Sequence, residues 1–194
     1  MLRSVQKAKE SEQQLAERKL LELVANRDRE ALTRLYEVYH ERLFKFVFRL
    51  TQSHAQTEEL VNDIMLAVWR GAGNYRGDSK PSTWIFGIAY RQALKRLSRK
   101  QLKISSRIDV EQISDSSVHT VEQEDWVRRG LDELPTAQRM AVELVFYLGL
   151  SYEEVAAVTE CPVNTVKTRM FHARRKLKEN LKVAAGPATP GEKQ

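Results

Sequence analysis

Residues 151–177 read SYEEVAAVTECPVNTVKTRMFHARRKL, and the two helices spelled out there decide how the rest of the chain is read. Ser151-Tyr152-Glu153-Glu154 is a capping box, in which the Ser hydroxyl and the Glu carboxylate each satisfy orphan amides at a helix start. The short helix that follows is expected to bury Val155, Ala156 and Val158, and the small Ala156 and Ala157 let a second helix approach closely. Thr159-Glu160-Cys161-Pro162 halts it, because proline disfavours helix in the residue before it and lacks an amide. Asn164 is expected to N-cap the next helix, running from Thr165 onwards. That helix turns Val163, Val166, Met170 and Leu177 inward and carries Lys167, Thr168, Arg169, His172, Arg174, Arg175, Lys176 and Lys178 on its other face. A short helix, a tight turn and a longer basic helix make a helix-turn-helix. Lys167, Thr168, Phe171 and His172 are candidates for base edges in a major groove, with Asn164 and Thr165 beside them at the helix start. Arg174 and Arg175 suit phosphates better. A basic amphipathic helix with a merely solvated face would leave the coincidence of cap, small-residue packing and turn unexplained.

Outward from this motif, Leu131 and Leu134 lead to a break at Pro135, a helix is expected over Thr136–Leu148, and Gly149 ends it as a left-handed cap. With a first helix from about Glu122, residues 122–182 form one small helical unit. A second unit occupies residues 20–102. There Leu32, Leu35, Tyr36, Tyr39, Leu43, Phe46, Val47 and Leu50 recur at steps of three and four, the stripe of a long amphipathic helix. Ser53 with Gln56 resembles a capping box, and the helix beyond presents Leu60, Ile64, Met65, Val68 and Trp69 to a core. Gly71–Thr83 is rich in Gly, Asn, Asp and Pro and reads as a loop. Helical spacing resumes at Trp84, Ile85, Ile88, Ala89 and Leu97.

Between the two units the charge changes sign. No acidic residue lies between Ser79 and Ile108, whereas Asp109–Val127 holds six acids and no Lys or Arg. Residues 105–120 are Ser-rich and lack a helical period, so 103–121 is expected to be a flexible linker. Extended, residues 105–120 would reach on the order of 50 Å, more than the roughly 34 Å of one duplex turn. Residues 1–19 are polar and are expected to form a frayed helix or a disordered arm. Residues 183–194 are expected to be a disordered tail. The fold class is thus all-α, with two small helical domains joined by a flexible linker.

Lys and Arg number 32 against 26 Asp and Glu, a net charge of +6 that favours a polyanionic partner. A single cysteine, Cys161, allows no internal disulfide and suits a reducing, cytoplasmic setting. No apolar run is long enough for membrane insertion, and the N-terminus lacks a secretion signal. His40, His54, His119 and His172 are scattered and no Gly-rich phosphate loop follows a strand, so no catalytic residue, metal site or cofactor is expected.

At this point a family resemblance enters. Ser151–Leu177 closely resembles region four of the extracytoplasmic-function (ECF) sigma factors of bacterial RNA polymerase, and Leu131-Asp132-Glu133-Leu134-Pro135 is similar to its lead-in. LTRLYEVYHERLFKFVFRL (Leu32–Leu50), TEELVNDIMLAVWR (Thr57–Arg70) and YRGDSKPSTWIFGIA (Tyr75–Ala89) look like successive parts of region two, in the right order. The resemblance implies that region two (20–102) binds the polymerase core and opens the −10 element, while region four (122–182) reads the −35 element as duplex. It places core contacts, to the β and β′ subunits, at Glu59, Asn62, Asp63, Leu66 and Arg70. Tyr75, Arg76, Lys80, Trp84, Arg91, Lys95, Arg96 and Arg99 fall on −10 DNA. Asn164, Thr165, Lys167, Thr168, Phe171, His172, Arg174 and Arg175 fall on −35 DNA.

An unstacked base needs an aromatic or polar pocket and the strand a cationic track; Tyr75, Trp84 and Tyr90 offer rings, although Trp84 also reads as a plain core residue. Many members of the family carry Asn at the position of Arg91 and an acid near Lys95. The resemblance also implies an anti-sigma protein as a partner. A free-standing dimeric helix-turn-helix regulator would explain residues 151–181 but not Ser79–Ile108 or Thr57–Arg70. A small nucleic-acid enzyme would need clustered acids for metal, and the acids here are spread over helix faces and a linker.

Overall fold

The computed structural model describes residues 2–105 and 129–184. The chain divides into two compact units, the first built on the N-terminal helices and the second on the C-terminal ones. Among the described residues the regular structure is helical and contains no strand. Most of the segment expected to be a linker, the expected helix start at Glu122 and residues 185–194 of the expected tail lie outside the described residues. No helix among the described residues is long and apolar enough to cross a membrane.

In the first unit α1 (Leu2–Ala25) runs straight through the segment expected to be an arm. The period of its core contacts is hidden because one of them is an acid. Glu17, Leu21 and Val24 are buried, and Glu17 accepts hydrogen bonds from the Tyr39 hydroxyl (2.7 Å) and from Gln13 Nε2 (2.9 Å). α1 packs on α2 (Arg29–Thr51), α3 (His54–Gly71), the 3-10 turn Ala72–Asn74 and α4 (Pro81–Ser105).

The joints are specified locally. Arg27 adopts a left-handed backbone (φ 69°) after α1, and Asp28 then caps α2 by accepting from the amides of Glu30 and Ala31. Gln52, also left-handed (φ 55°), closes α2 by donating its N–H to the Phe48 carbonyl, and Ser53 caps α3 at the Gln56 amide. Pro81 opens α4, where a missing amide costs nothing. The stripe Leu35, Tyr39, Leu43, Phe46, Val47 and Leu50 is fully or nearly fully buried on α2. Leu32 and Tyr36 sit half-buried at its edge. From α3, Thr57, Leu60, Val61, Ile64, Met65 and Val68 face this core; Ile85, Phe86, Ile88, Ala89, Tyr90 and Ala93 close it from α4.

In the second unit residues 129–132 are helical, and Leu131 and Leu134 are buried before Pro135. The helix expected over Thr136–Leu148 is present but not uniform. α5 (Thr136–Val142) widens into a π turn over Glu143–Tyr147, and Gly149 takes the left-handed conformation (φ 68°) expected of it. α6 (Tyr152–Thr159) begins at the capping box: the Ser151 amide donates to Glu154 Oε2 (2.8 Å) and the Glu154 amide to the Ser151 hydroxyl (3.2 Å). It buries Val155, Ala156 and Val158 as expected. The turn passes through a left-handed Glu160 (φ 53°). α7 (Val163–Ala184) then starts two residues earlier than expected. Asn164 is therefore inside the helix, not its cap, and the Pro162 carbonyl receives the first helical amides, those of Thr165 and Val166. Val166, Met170 and Ala173 are the buried face of α7, with Val163 and Leu177 half-buried beside them.

Candidate nucleic-acid and polymerase interfaces

α7 is stationed by its apolar face. With Val166, Met170 and Ala173 turned to the core, the 3.6-residue period places Asn164, Thr168, Phe171 and Arg175 on the opposite side. All four are exposed, and Phe171 is the most exposed large apolar side chain of the described residues at 63%. A phenyl ring left in water on a basic helix suits contact with an apolar surface such as a thymine methyl. Thr165 and His172 lie on one flank and line a shallow hollow with Asn164, Thr168, Arg169 and Gln138 of α5. Lys167 and Arg174 lie on the other flank, in a second hollow with Tyr152, Phe171, Arg175 and Lys178. Arg174 donates to the Tyr152 hydroxyl (3.0 Å) and stands over the Phe146 ring, 5.9 Å from its centroid. Arg175 is 3.9 Å from Glu179, a loose pair that leaves its guanidinium available to a phosphate. Gln138 and Tyr152 belong to this surface although the sequence reading assigned neither to it. Tyr152 was legible only as part of a cap, and Gln138 is set here by tertiary packing of α5 against α7.

Farther along, Lys176 Nζ donates to the Glu133 carbonyl and Asn180 Nδ2 to the Glu133 carboxylate, each at 2.6 Å. These bonds hold the C-terminal half of α7 against the helices that precede the motif.

In the first unit, Glu59, Asn62, Asp63, Leu66 and Arg70 are all exposed on the side of α3 opposite its core stripe. Four polar or charged groups surround one exposed Leu, a composition suited to a protein partner. Glu59 is not isolated: Arg96 of α4 donates to it at 2.7 Å, and that bond and charge hold the Glu59 carboxyl below the usual carboxylate range. Two residues assigned by sequence to different partners thus meet. Arg96 is turned toward α3, whereas Arg91, Lys95 and Arg99 are exposed on α4 at steps of four, on a common face.

The loop before α4 is shorter than expected, because α3 continues to Gly71 and the 3-10 turn to Asn74. Tyr75 donates its hydroxyl to the Ser79 carbonyl (2.6 Å), Gly77 is left-handed (φ 79°), and Arg76 pairs with Asp78 at 3.1 Å. The Tyr75 and Trp84 rings meet at 5.5 Å between centroids, both half-buried. Lys80 is exposed. Tyr90 belongs to the buried face of α4 and is not part of an exposed ring cluster. Burial pushes the Tyr75 hydroxyl up from its ordinary range, and the Arg18 guanidinium beside it opposes that shift.

The described residues are helical, with a helix-turn-helix in one unit and an exposed cationic row in the other, a combination suited to a nucleic-acid-binding protein. Sequence comparison gives the class its name. The descriptions "Sigma-70 region 2" and "Sigma-70, region 4" match residues 35–103 and 124–177. The ECF RNA polymerase sigma factor SigK of Mycolicibacterium vanbaalenii is 32% identical over 174 residues, covering 85% of this chain and 89% of its own. The ECF RNA polymerase sigma-E factor of Escherichia coli K12 is 31% identical over 177 residues, covering 84% and 92%. Among solved structures, the sigma factor RpoE of Bartonella quintana, in complex with the anti-sigma factor NepR, aligns with a TM-score of 0.63 at 25% identity over 78% of this chain and 96% of that one.

The chain belongs to the ECF family of RNA polymerase sigma factors. It acts with RNA polymerase in promoter-specific initiation of transcription. The match over residues 35–103 covers Thr57–Arg70 and most of Ser79–Ile108, the segments that a free-standing helix-turn-helix regulator leaves unexplained.

Proposed function

We propose a division of labour within that activity. The exposed face of α3, with Glu59, Asn62, Asp63, Leu66 and Arg70, docks on the polymerase core. The loop from Tyr75 with Trp84, and the cations Arg76, Lys80, Arg91, Lys95 and Arg99, take the non-template strand of the −10 element. Arg96 enters that set through its charge but is tied to Glu59, so it couples the two surfaces. The outward face of α7 reads the −35 duplex, with Lys167, Thr168, Phe171 and His172 at base edges, Asn164 and Thr165 at the leading end, and Arg174 and Arg175 on phosphates. The factor acts by binding in the cytoplasm, with polymerase supplying the catalysis. An anti-sigma protein that covers these surfaces is its regulator, by analogy with the complex of the Bartonella relative with NepR.

The observation that supports this reading best is the face of α7 opposite Val166, Met170 and Ala173, where polar and cationic groups surround one exposed ring. The test is transcription in vitro with purified core polymerase, followed by sequencing of the transcripts. Lys167→Ala combined with His172→Ala is expected to weaken −35 selection and leave core binding intact. Equal loss of both would overturn the division.

A further inference from the structure

Two neighbouring residues of α1 point to different parts of the first unit. Glu17 is buried against Tyr39 of α2 and Gln13, and Tyr39 in turn meets Phe86 of α4 edge-on at 5.9 Å. Arg18, the next residue, lies about 100° around the helix and reaches the loop: its Nη2 donates to the Gly77 carbonyl at 3.0 Å. A Cβ on Gly77 would stand 3.3 Å from the Arg18 guanidinium carbon, so the guanidinium rests directly against the turn. It also lies beside the Tyr75 hydroxyl, which itself donates to Ser79. Arg27, in the turn just after the helix, makes a similar reach. It donates to the Trp69 carbonyl at 3.1 Å and covers the Trp69 ring. None of Glu17, Arg18 and Arg27 falls within residues 35–103, where the region-two match lies.

We propose that Arg18 is a positioning residue for −10 recognition: anchored by the buried Glu17 beside it, it holds the Tyr75–Ser79 turn in the shape that offers Tyr75 and Trp84 to an unstacked base. The inference rests on the reading of this loop as the −10 contact. A planar guanidinium with several fixed donors can brace a carbonyl and a hydroxyl together, which a lysine ammonium does less well. Its effect is conveyed through the loop, because a displacement of even about 1 Å in a positioning element degrades recognition.

The experiment measures open-complex formation by the full chain with core polymerase on a cognate promoter, on promoters substituted singly across the −10 element, and on one substituted at −35. Arg18→Ala is expected to lower the cognate-to-substituted ratio at −10 about fivefold, the size of one net hydrogen bond. It should leave the −35 ratio and core affinity unchanged, and Arg18→Lys should retain part of the discrimination. A uniform fall on every template would show a merely structural residue and overturn the proposal. So would an unchanged −10 ratio in Arg18→Ala while Tyr75→Ala flattens it. If Tyr75→Ala and Trp84→Ala also leave the −10 ratio unchanged, the reading of the loop fails and the proposal fails with it.

Discussion

Tyr39→Phe removes one oxygen from the centre of the first unit and nothing else. The ring keeps its contact with Phe86, so no cavity opens, but the Glu17 carboxylate loses its 2.7 Å donor while only 5% exposed. Gln13 still donates to Oε1, leaving Oε2 without that bond. Depriving a buried acceptor of its partner costs about 1–3 kcal/mol, and more for a charged group; with the Gln13 bond to the same carboxylate retained, about 2 kcal/mol is expected. In a unit of this size that corresponds to a fall in Tm of roughly 8–16 °C. The assay is thermal and urea unfolding of the full chain by circular dichroism, with hydrogen exchange at the α1 amides to locate the loss.

Glu17→Leu combined with Tyr39→Phe removes both partners and should cost less than Tyr39→Phe alone, because no buried charge is stranded. The wild type should also be the more alkali-sensitive protein. Burial, and then the negative Glu17, raise the Tyr39 hydroxyl above its ordinary range. A group raised in the folded state contributes stability in full below its unfolded value, about pH 10, and loses it as pH rises beyond. The urea midpoint of the wild type should therefore fall more steeply above about pH 10 than that of Tyr39→Phe. A loss below about 0.5 kcal/mol in Tyr39→Phe, or a double variant as unstable as the sum of its parts, would refute the account of α1 as a helix held by a buried acid.

Ser151→Ala breaks one arm of the capping box and should destabilise the second unit by about 1 kcal/mol, seen as a lower urea midpoint with core binding unaffected. Glu59→Lys should weaken competition for core polymerase by about tenfold, whereas Arg96→Ala, which breaks the pair but leaves the α3 face, should not. Arg174→Ala should reduce the salt slope of −35 duplex binding by about one phosphate contact. An unchanged slope would mean that Arg174 stays on Tyr152 and Phe146 when DNA is bound.

The elements whose signals are local and periodic could be read from the chain. The α2 stripe, the cap at Ser151, the left-handed Gly149 and the buried Val155, Ala156 and Val158 all follow from neighbours within a few residues. What escaped the sequence reading depends on distant partners. α1 looked like a polar arm because its inward face includes Glu17, an acid whose burial makes sense only once Tyr39 is known to meet it. Glu143, also an acid, is fully buried within a π turn that no spacing rule announces. The start of α7 was misplaced because Asn164 is a good cap by type, while the one Pro162 carbonyl already receives the amides of Thr165 and Val166 at that corner. Within the candidate site, the uniformly basic charge of α4 did not distinguish Arg96, drawn to Glu59, from Arg91, Lys95 and Arg99.

Those three cations share one hydrogen-bonded cylinder, and this governs how the protein can change. Steps of four residues set them about 6 Å apart along the axis, like teeth on a rack. Deleting one residue of α4 before Arg91 would swing all three by about 100° together, turning the whole row away from the strand we propose it holds. Exchanging one tooth alters a single point along that strand and leaves the pitch untouched. Divergence in this part of the chain therefore has substitution open to it and length change closed.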